Sequence, residues 1–119
     1  MEDSKIQRRE FYRIERILPI EFERSDTIKT IREFAETLNI SGTGIAFDHN
    51  CILEAGDKIK VFIEIEGKKI ETFARIIARN EQPENSKHKY RYRITFINIK
   101  PKFQDIILDY VWREQLKKA

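Results

Sequence analysis

Two short polar segments hold most of the side chains in this sequence that could do chemistry. The first is Arg8-Arg9-Glu10-Phe11-Tyr12-Arg13, which sets three guanidinium groups within six positions. Arg9 and Arg13 are four residues apart, so they project to one side in either a strand or a helix, and a curled loop would close them on a single ligand. Arginine suits an anionic partner. Its planar fork grips a phosphate or a guanine edge with two parallel bonds, and its flat face stacks on a base. The second segment is Asn39-Ile40-Ser41-Gly42-Thr43-Gly44. Period-two geometry points Asn39 and Ser41 away from the side taken by Leu38 and Ile40. Asn39 offers both a donor and an acceptor, which fits the edge of a base, and Ser41 adds a hydroxyl. The glycines would let a ligand approach the backbone. Each segment also has a plain structural explanation: solvated arginines balanced by Glu10 and Glu15, and ordinary hairpin chemistry.

The rest of the chain offers no enzymatic constellation. There is no GxSxG, HExxH, P-loop or GxGxxG pattern. Glu21 and Glu23 share a strand face as a solvated pair, and Asp57 follows a glycine as a turn residue. Cys51 is the single cysteine, which leaves no internal disulfide and no cysteine-based zinc site. His49 and His88 stand far apart and outside any metal-ligand spacing. The expectation is a binding domain with no cofactor, no metal and no catalytic residue.

Hydrophobic periodicity supplies the elements that must position the two segments. With 119 residues, 40% hydrophobic and 36% charged, the chain fits a single domain spanning 1–119. Residues 1–12 are polar and aperiodic. From Arg13 the pattern alternates, with Leu18, Ile20 and Phe22 on one side and Arg13, Glu15, Glu21 and Glu23 on the other. Pro19 within this run predicts an edge position or a bulge. A second strand is predicted over Glu33 to Ser41, with Phe34, Leu38 and Ile40 on its inner face, and a third from Ile45 to Asp48 after the glycine turn. Ile59, Val61, Ile63 and Ile65 alternate strictly, Gly67-Lys68 turns the chain into Ile70 to Arg79, and Tyr90, Tyr92, Ile94 and Phe96 mark a sixth strand. Beyond Pro101 the period becomes 3.6, with Phe103, Ile106, Ile107, Tyr110 and Val111 on one stripe. The pattern predicts an all-β barrel of six antiparallel strands over 13–99, closed by a C-terminal helix over 101–118.

Taken together, Arg8-Arg9-x-x-x-Arg13 and Asn39-x-Ser41-x-x-Gly44 resemble the paired signature of PilZ domains, RxxxR followed by (D/N)xSxxG. The order and the gap between the motifs agree, and every signature position is filled. The resemblance covers the whole chain, because PilZ domains are six-stranded antiparallel barrels, many with a trailing helix. One departure is Arg93, where many relatives have glycine. The resemblance implies a receptor for the bacterial second messenger cyclic di-GMP. In such domains the arginine segment precedes the first strand and wraps over the ligand. Here Arg9 and Arg13 would contact phosphate and guanine, and Arg8 would add a guanidinium of the kind associated with binding an intercalated ligand dimer. Asn39 and Ser41 would read a guanine edge, and Gly44 would keep the surface open. Residues 1–12 would form a flexible segment that orders on the ligand.

Charge fits an anionic ligand only weakly: the net value is +3, but Arg75 to Lys102 carries eight basic and two acidic residues. Two alternatives remain from the sequence. One is a ligand-free adapter of the same fold. The other is a small barrel that stacks single-stranded nucleic acid on Tyr90 and Tyr92. Leu108, Trp112 and Leu116 recur at i, i+4 and i+8 on the far side of the helix, a stripe for a second copy of the chain or an output protein. No apolar run approaches the roughly 20 residues of a membrane span and the start does not read as a signal peptide, so the expected address is the cytoplasm, with no insertion into a membrane.

Overall fold

The computed structural model describes residues 13–25 and 29–118. The elements are β1 (Arg13–Ile14), β2 (Pro19–Ser25), β3 (Thr30–Ser41), β4 (Gly44–His49), β5 (Lys58–Ile65), β6 (Lys68–Glu81), β7 (Tyr90–Ile97) and a helix, α1 (Pro101–Lys118). Every pairing is antiparallel, in the order β1-β3-β2-β5-β6-β7-β4, and a further β3–β4 ladder closes the sheet. The six longer strands make a closed barrel, and β1 adds two residues along one edge of β3. The expected segment 1–12, with Arg8 and Arg9, lies outside the described residues.

Strict alternation places its residues as expected. Ile59, Val61, Ile63 and Ile65 on β5 are all buried, as are Ile70, Ala74 and Ile76 on β6 and Tyr92 and Ile94 on β7. β5 and β6 are joined by Glu66-Gly67, both with positive φ (51° and 81°), the two-residue turn whose twist matches that of the flanking strands. The turn therefore begins one residue earlier than Gly67-Lys68. Arg113 of α1 holds Glu66 with two bonds, of 3.2 and 2.6 Å.

Two expectations for β2 and β3 are corrected. Pro19 is neither on an edge strand nor at a bulge, because β2 pairs with both β3 and β5. Proline is tolerated there as the first residue of the strand, outside the β5 ladder, which starts at Ile20. On β3, Phe34 does not face the core with Ile40; it is 70% exposed. The cause is a bulge at Leu38: Thr37 pairs with Phe47, but Asn39 pairs with Ala46. One extra residue reverses which positions point inward. Thr37 is buried before the bulge and Ile40 after it, three residues apart.

Thr37 also explains why the run from Arg13 breaks into β1 and β2. Its hydroxyl accepts a bond from Leu18 N at 2.9 Å and donates to Arg16 O at 2.6 Å, while its own amide donates to Leu18 O at 2.9 Å. These bonds replace the ladder across the break. On the other side, Ile107, Tyr110 and Val111 of α1 are buried, with Phe103 and Ile106 packed against the core, and the helix touches β1, β3 and β5. No helix among the described residues is long and apolar enough to cross a membrane.

Candidate functional site

β1 exists because Ile14 is fully buried in the core, a contribution of about 1.5–3 kcal/mol for a side chain of this size. Its neighbour Arg13 must then face outward, and the ladder sets it opposite Ser41. From there its guanidinium donates to Asn39 Oδ1. That bond joins the two sequence segments. It uses the acceptor of the Asn39 amide and leaves the amide's NH2 for another partner. Burial, and then the positive charge of Arg93, push the Arg13 pKa down.

The other half of the second motif is buried. Ser41 is not available at the surface; it is 1% exposed. Its hydroxyl accepts bonds from the amides of Thr43 and Gly44, at 3.2 and 3.3 Å. It also lies 3.1 Å from Thr43 Oγ1 and 3.3 Å from Gly44 O. The side chain of Ser41 therefore folds back and ties the turn in which β3 ends, where the alternation of a straight strand no longer applies. Gly44 is buried as well, and its lack of a side chain serves the packing of the barrel. An added Cβ would lie 2.0 Å from the carbonyl oxygen of Ile94, so only glycine allows β4 to pair this closely with β7. Thr43 O accepts from Phe96 N at 2.8 Å and from Thr95 Oγ1 at 3.2 Å, and Gly42 O accepts from Gln104 Nε2 of α1 at 3.2 Å.

Beside this turn, Glu15, Arg16, Ile17, Leu38, Asn39 and Arg91 line an open depression of about 650 Å³. Both of its arginines are engaged. Arg91 holds Asp48 with bonds of 2.8 and 3.1 Å, and Arg16 holds Glu114 of α1 at 2.9 Å. Lys117 and Arg16 keep the Glu114 carboxyl below its usual range. Of the six residues expected at the site, the structure brings Arg13 and Asn39 together on the exterior, and places Ser41 and Gly44 inside the turn. Arg8 and Arg9 lie outside the described residues. The sequence reading missed Arg93 and Gln104. Period two already pointed Arg93 outward, but its proximity to Arg13 depends on registers across three strands.

Other groups capable of chemistry are buried or half-buried. Burial pushes the Cys51 thiol up to about 11, and burial lowers the pKa of His49, whose Nδ1 accepts from Cys51 N at 3.0 Å. Tyr92 is buried, donating its hydroxyl to Cys51 O at 2.5 Å and accepting from Leu53 N at 2.9 Å. It offers no face to a base, which corrects the stacking role given to it in the nucleic-acid alternative. No cluster of three or more metal-ligating side chains occurs among the described residues.

The architecture matches solved structures over nearly its whole length. The inhibitor of motility MotI/DgrA of Bacillus subtilis aligns with 25% identity and a TM-score of 0.75, over 95% of this chain and 53% of that one. This chain thus spans about half the length of MotI. The PilZ domain of YcgR from Escherichia coli, solved with c-di-GMP, aligns at 18% identity and a TM-score of 0.62, over 91% of this chain and 94% of that one. The PilZ domain of CeSA from a cellulose-synthesizing bacterium aligns at 18% identity and 0.61, over 87% and 97%. No curated protein matches the chain. The PilZ family model matches residues 7–112, from the arginine segment to the middle of α1. With that span matched and the barrel closed as described, the chain belongs to the PilZ domain family.

Proposed function

We propose that this domain binds cyclic di-GMP on the outer face of its barrel, beside β1 and the β3–β4 turn, and that it catalyses no reaction. The observation that carries this reading is the Arg13–Asn39 bond, which brings a residue of each motif together at an exposed site. The PilZ domain of YcgR, solved with c-di-GMP, supports the choice of ligand. Arg9 and Arg13 supply charge-assisted bonds to phosphate and guanine, Asn39 reads a base edge, and Arg8 provides a guanidinium for a second, intercalated nucleotide. Ser41 and Gly44 serve the ligand indirectly, by holding the turn that presents Asn39.

A relay to an output fits the contacts of α1. Gln104 bonds the turn of the second motif, and Glu114 bonds Arg16, three residues after Arg13. A ligand that pulls on either element therefore acts on groups attached to the helix. Trp112 and Leu116 lie on its outer side at 38% and 57% exposure, with Leu108 half-buried beside them. This stripe is where a second copy or an output protein would read a shift of α1.

Calorimetric titration with cyclic di-GMP tests the reading. Saturable binding is expected, and Arg9→Ala or Arg13→Ala should weaken it by roughly thirty- to a thousand-fold, the equivalent of one or two charge-assisted bonds. No heat of binding from the unaltered domain, or full affinity in both variants, would overturn it.

A further inference from the structure

Arg93 belongs to neither motif, yet its place in the barrel is unusual for a surface arginine. On β7 it pairs with Ala46 of β4 and with Ala78 of β6, and Ala46 in turn pairs with Asn39 of β3. Paired residues share a face of the sheet, so Asn39, Ala46, Arg93 and Ala78 form one row. Adjacent strands are about 4.8 Å apart, which sets Asn39 and Arg93 roughly 9–10 Å apart at the backbone, with only a methyl group between them. Arg91, two residues earlier, faces Asp48 and is neutralised by it. Arg93 faces alanine on both sides, is exposed, and makes no ion pair among the described residues. Its positive charge acts on Arg13, a like charge.

We infer that Arg93 is a further ligand-binding residue, which with Arg13 clamps one phosphate of the cyclic dinucleotide above the Ala46 methyl. Two guanidinium groups on one face of the sheet, neither ion-paired to a carboxylate among the described residues, repel in the free domain. A phosphate placed between them removes that repulsion and accepts bonds from both. The alanines on either side put no long side chain of their own into the row, and the buried Ala46 sits beneath it. This inference rests on the reading of the domain as a cyclic di-GMP receptor.

The test is titration of the unaltered domain, Arg93→Ala, Arg93→Gln and Arg93→Lys with cyclic di-GMP at two salt concentrations. Arg93 is exposed, so the thermal unfolding of each variant should match that of the unaltered domain. Both neutral variants should bind about ten- to a hundred-fold more weakly. Arg93→Lys should lose less, because it keeps the charge and loses only the fork. Affinity should also fall less steeply with salt in the neutral variants, since one screened attraction is gone. If the unaltered domain binds and the neutral variants bind equally well with the same salt dependence, the clamp is wrong and the receptor reading stands. If the unaltered domain does not bind, both fall together.

Discussion

Replacing Gly44 by alanine separates a structural role for this glycine from a role in keeping the surface open to ligand. The new Cβ would lie 2.0 Å from Ile94 O, 3.1 Å from Ile94 C and 3.2 Å from Thr95 Cα. All three are backbone atoms of β7, so no side-chain rotation relieves the clash. Normal contact requires β4 and β7 to move apart by more than 1 Å, roughly a quarter of a strand spacing. Overpacking of this kind costs about 1–3 kcal/mol. The same movement strains the two bonds that Thr43 O accepts from Phe96 N and Thr95 Oγ1, each contributing about 0.5–1.5 kcal/mol. Gly44→Ala should therefore destabilise the domain by about 2–6 kcal/mol, out of a total that is about 5–15 for typical domains. Gly67→Ala provides the comparison. There φ is +81° but no atom lies within 4 Å of the added Cβ, so only the left-handed backbone penalty of about 1–2 kcal/mol applies. Urea unfolding followed by intrinsic fluorescence, without ligand, measures both. Gly44→Ala should unfold at clearly lower urea than Gly67→Ala. An unchanged midpoint for Gly44→Ala, with a loss confined to cyclic di-GMP affinity, would refute the packing argument and restore the open-surface role.

Three more outcomes are expected. Titration should give about two cyclic di-GMP molecules per chain, falling toward one in Arg8→Leu; a ratio of one in the unaltered domain would remove the dimer from the proposal. Thr37→Val keeps the shape but leaves Leu18 N without its acceptor and Arg16 O without its donor, a loss of about 1–3 kcal/mol; a variant as stable as the parent would show that the break between β1 and β2 is held in another way. Burial depresses the His49 pKa in the folded state, so the unfolded chain takes up the proton first as pH falls below about 6.5. Stability should decline below that pH and level off beneath the folded pKa, and His49→Gln should flatten the profile between pH 7 and 5; an equal decline in the variant would assign the effect to another group.

How much of this fold could be read in advance depended on whether a strand is regular. Ile59 to Ile65 alternate without interruption, and the four inward residues, Ile59, Val61, Ile63 and Ile65, are all buried. β3 is as clear in the sequence, yet half of it is reversed in the barrel. Its bulge falls at Leu38, with no glycine or proline to mark it, and the inward positions Thr37 and Ile40 have the spacing of a helix more than that of a strand. A buried threonine whose hydroxyl serves two backbone groups carries no hydrophobic signal. The site divides in the same way. Arg13 and Asn39 were legible because each lies in a motif with its own chemistry. Arg93 stands out in the sequence as a departure but not as a neighbour of Arg13, since that proximity passes through the β3–β4 and β4–β7 registers, which no local pattern encodes.

The position of the second motif has a consequence for how binding must be measured. Asn39 to Gly44 is both half of the proposed site and the seam where β3, β4 and β7 close the barrel. Ser41 and Gly44 hold that seam from inside, so replacing either one changes the fraction of chains that are folded, and the apparent affinity falls with it whether or not the residue meets the ligand. Binding data from those two positions cannot locate the ligand unless stability is measured beside them. Arg13 and Arg93 carry no such ambiguity. Their side chains lie outside the core, and Ile14 anchors β1 independently of Arg13. The decisive comparison is therefore between the exterior arginines and the interior turn: loss of affinity at unchanged stability in the first, and loss of stability that accounts for the loss of affinity in the second.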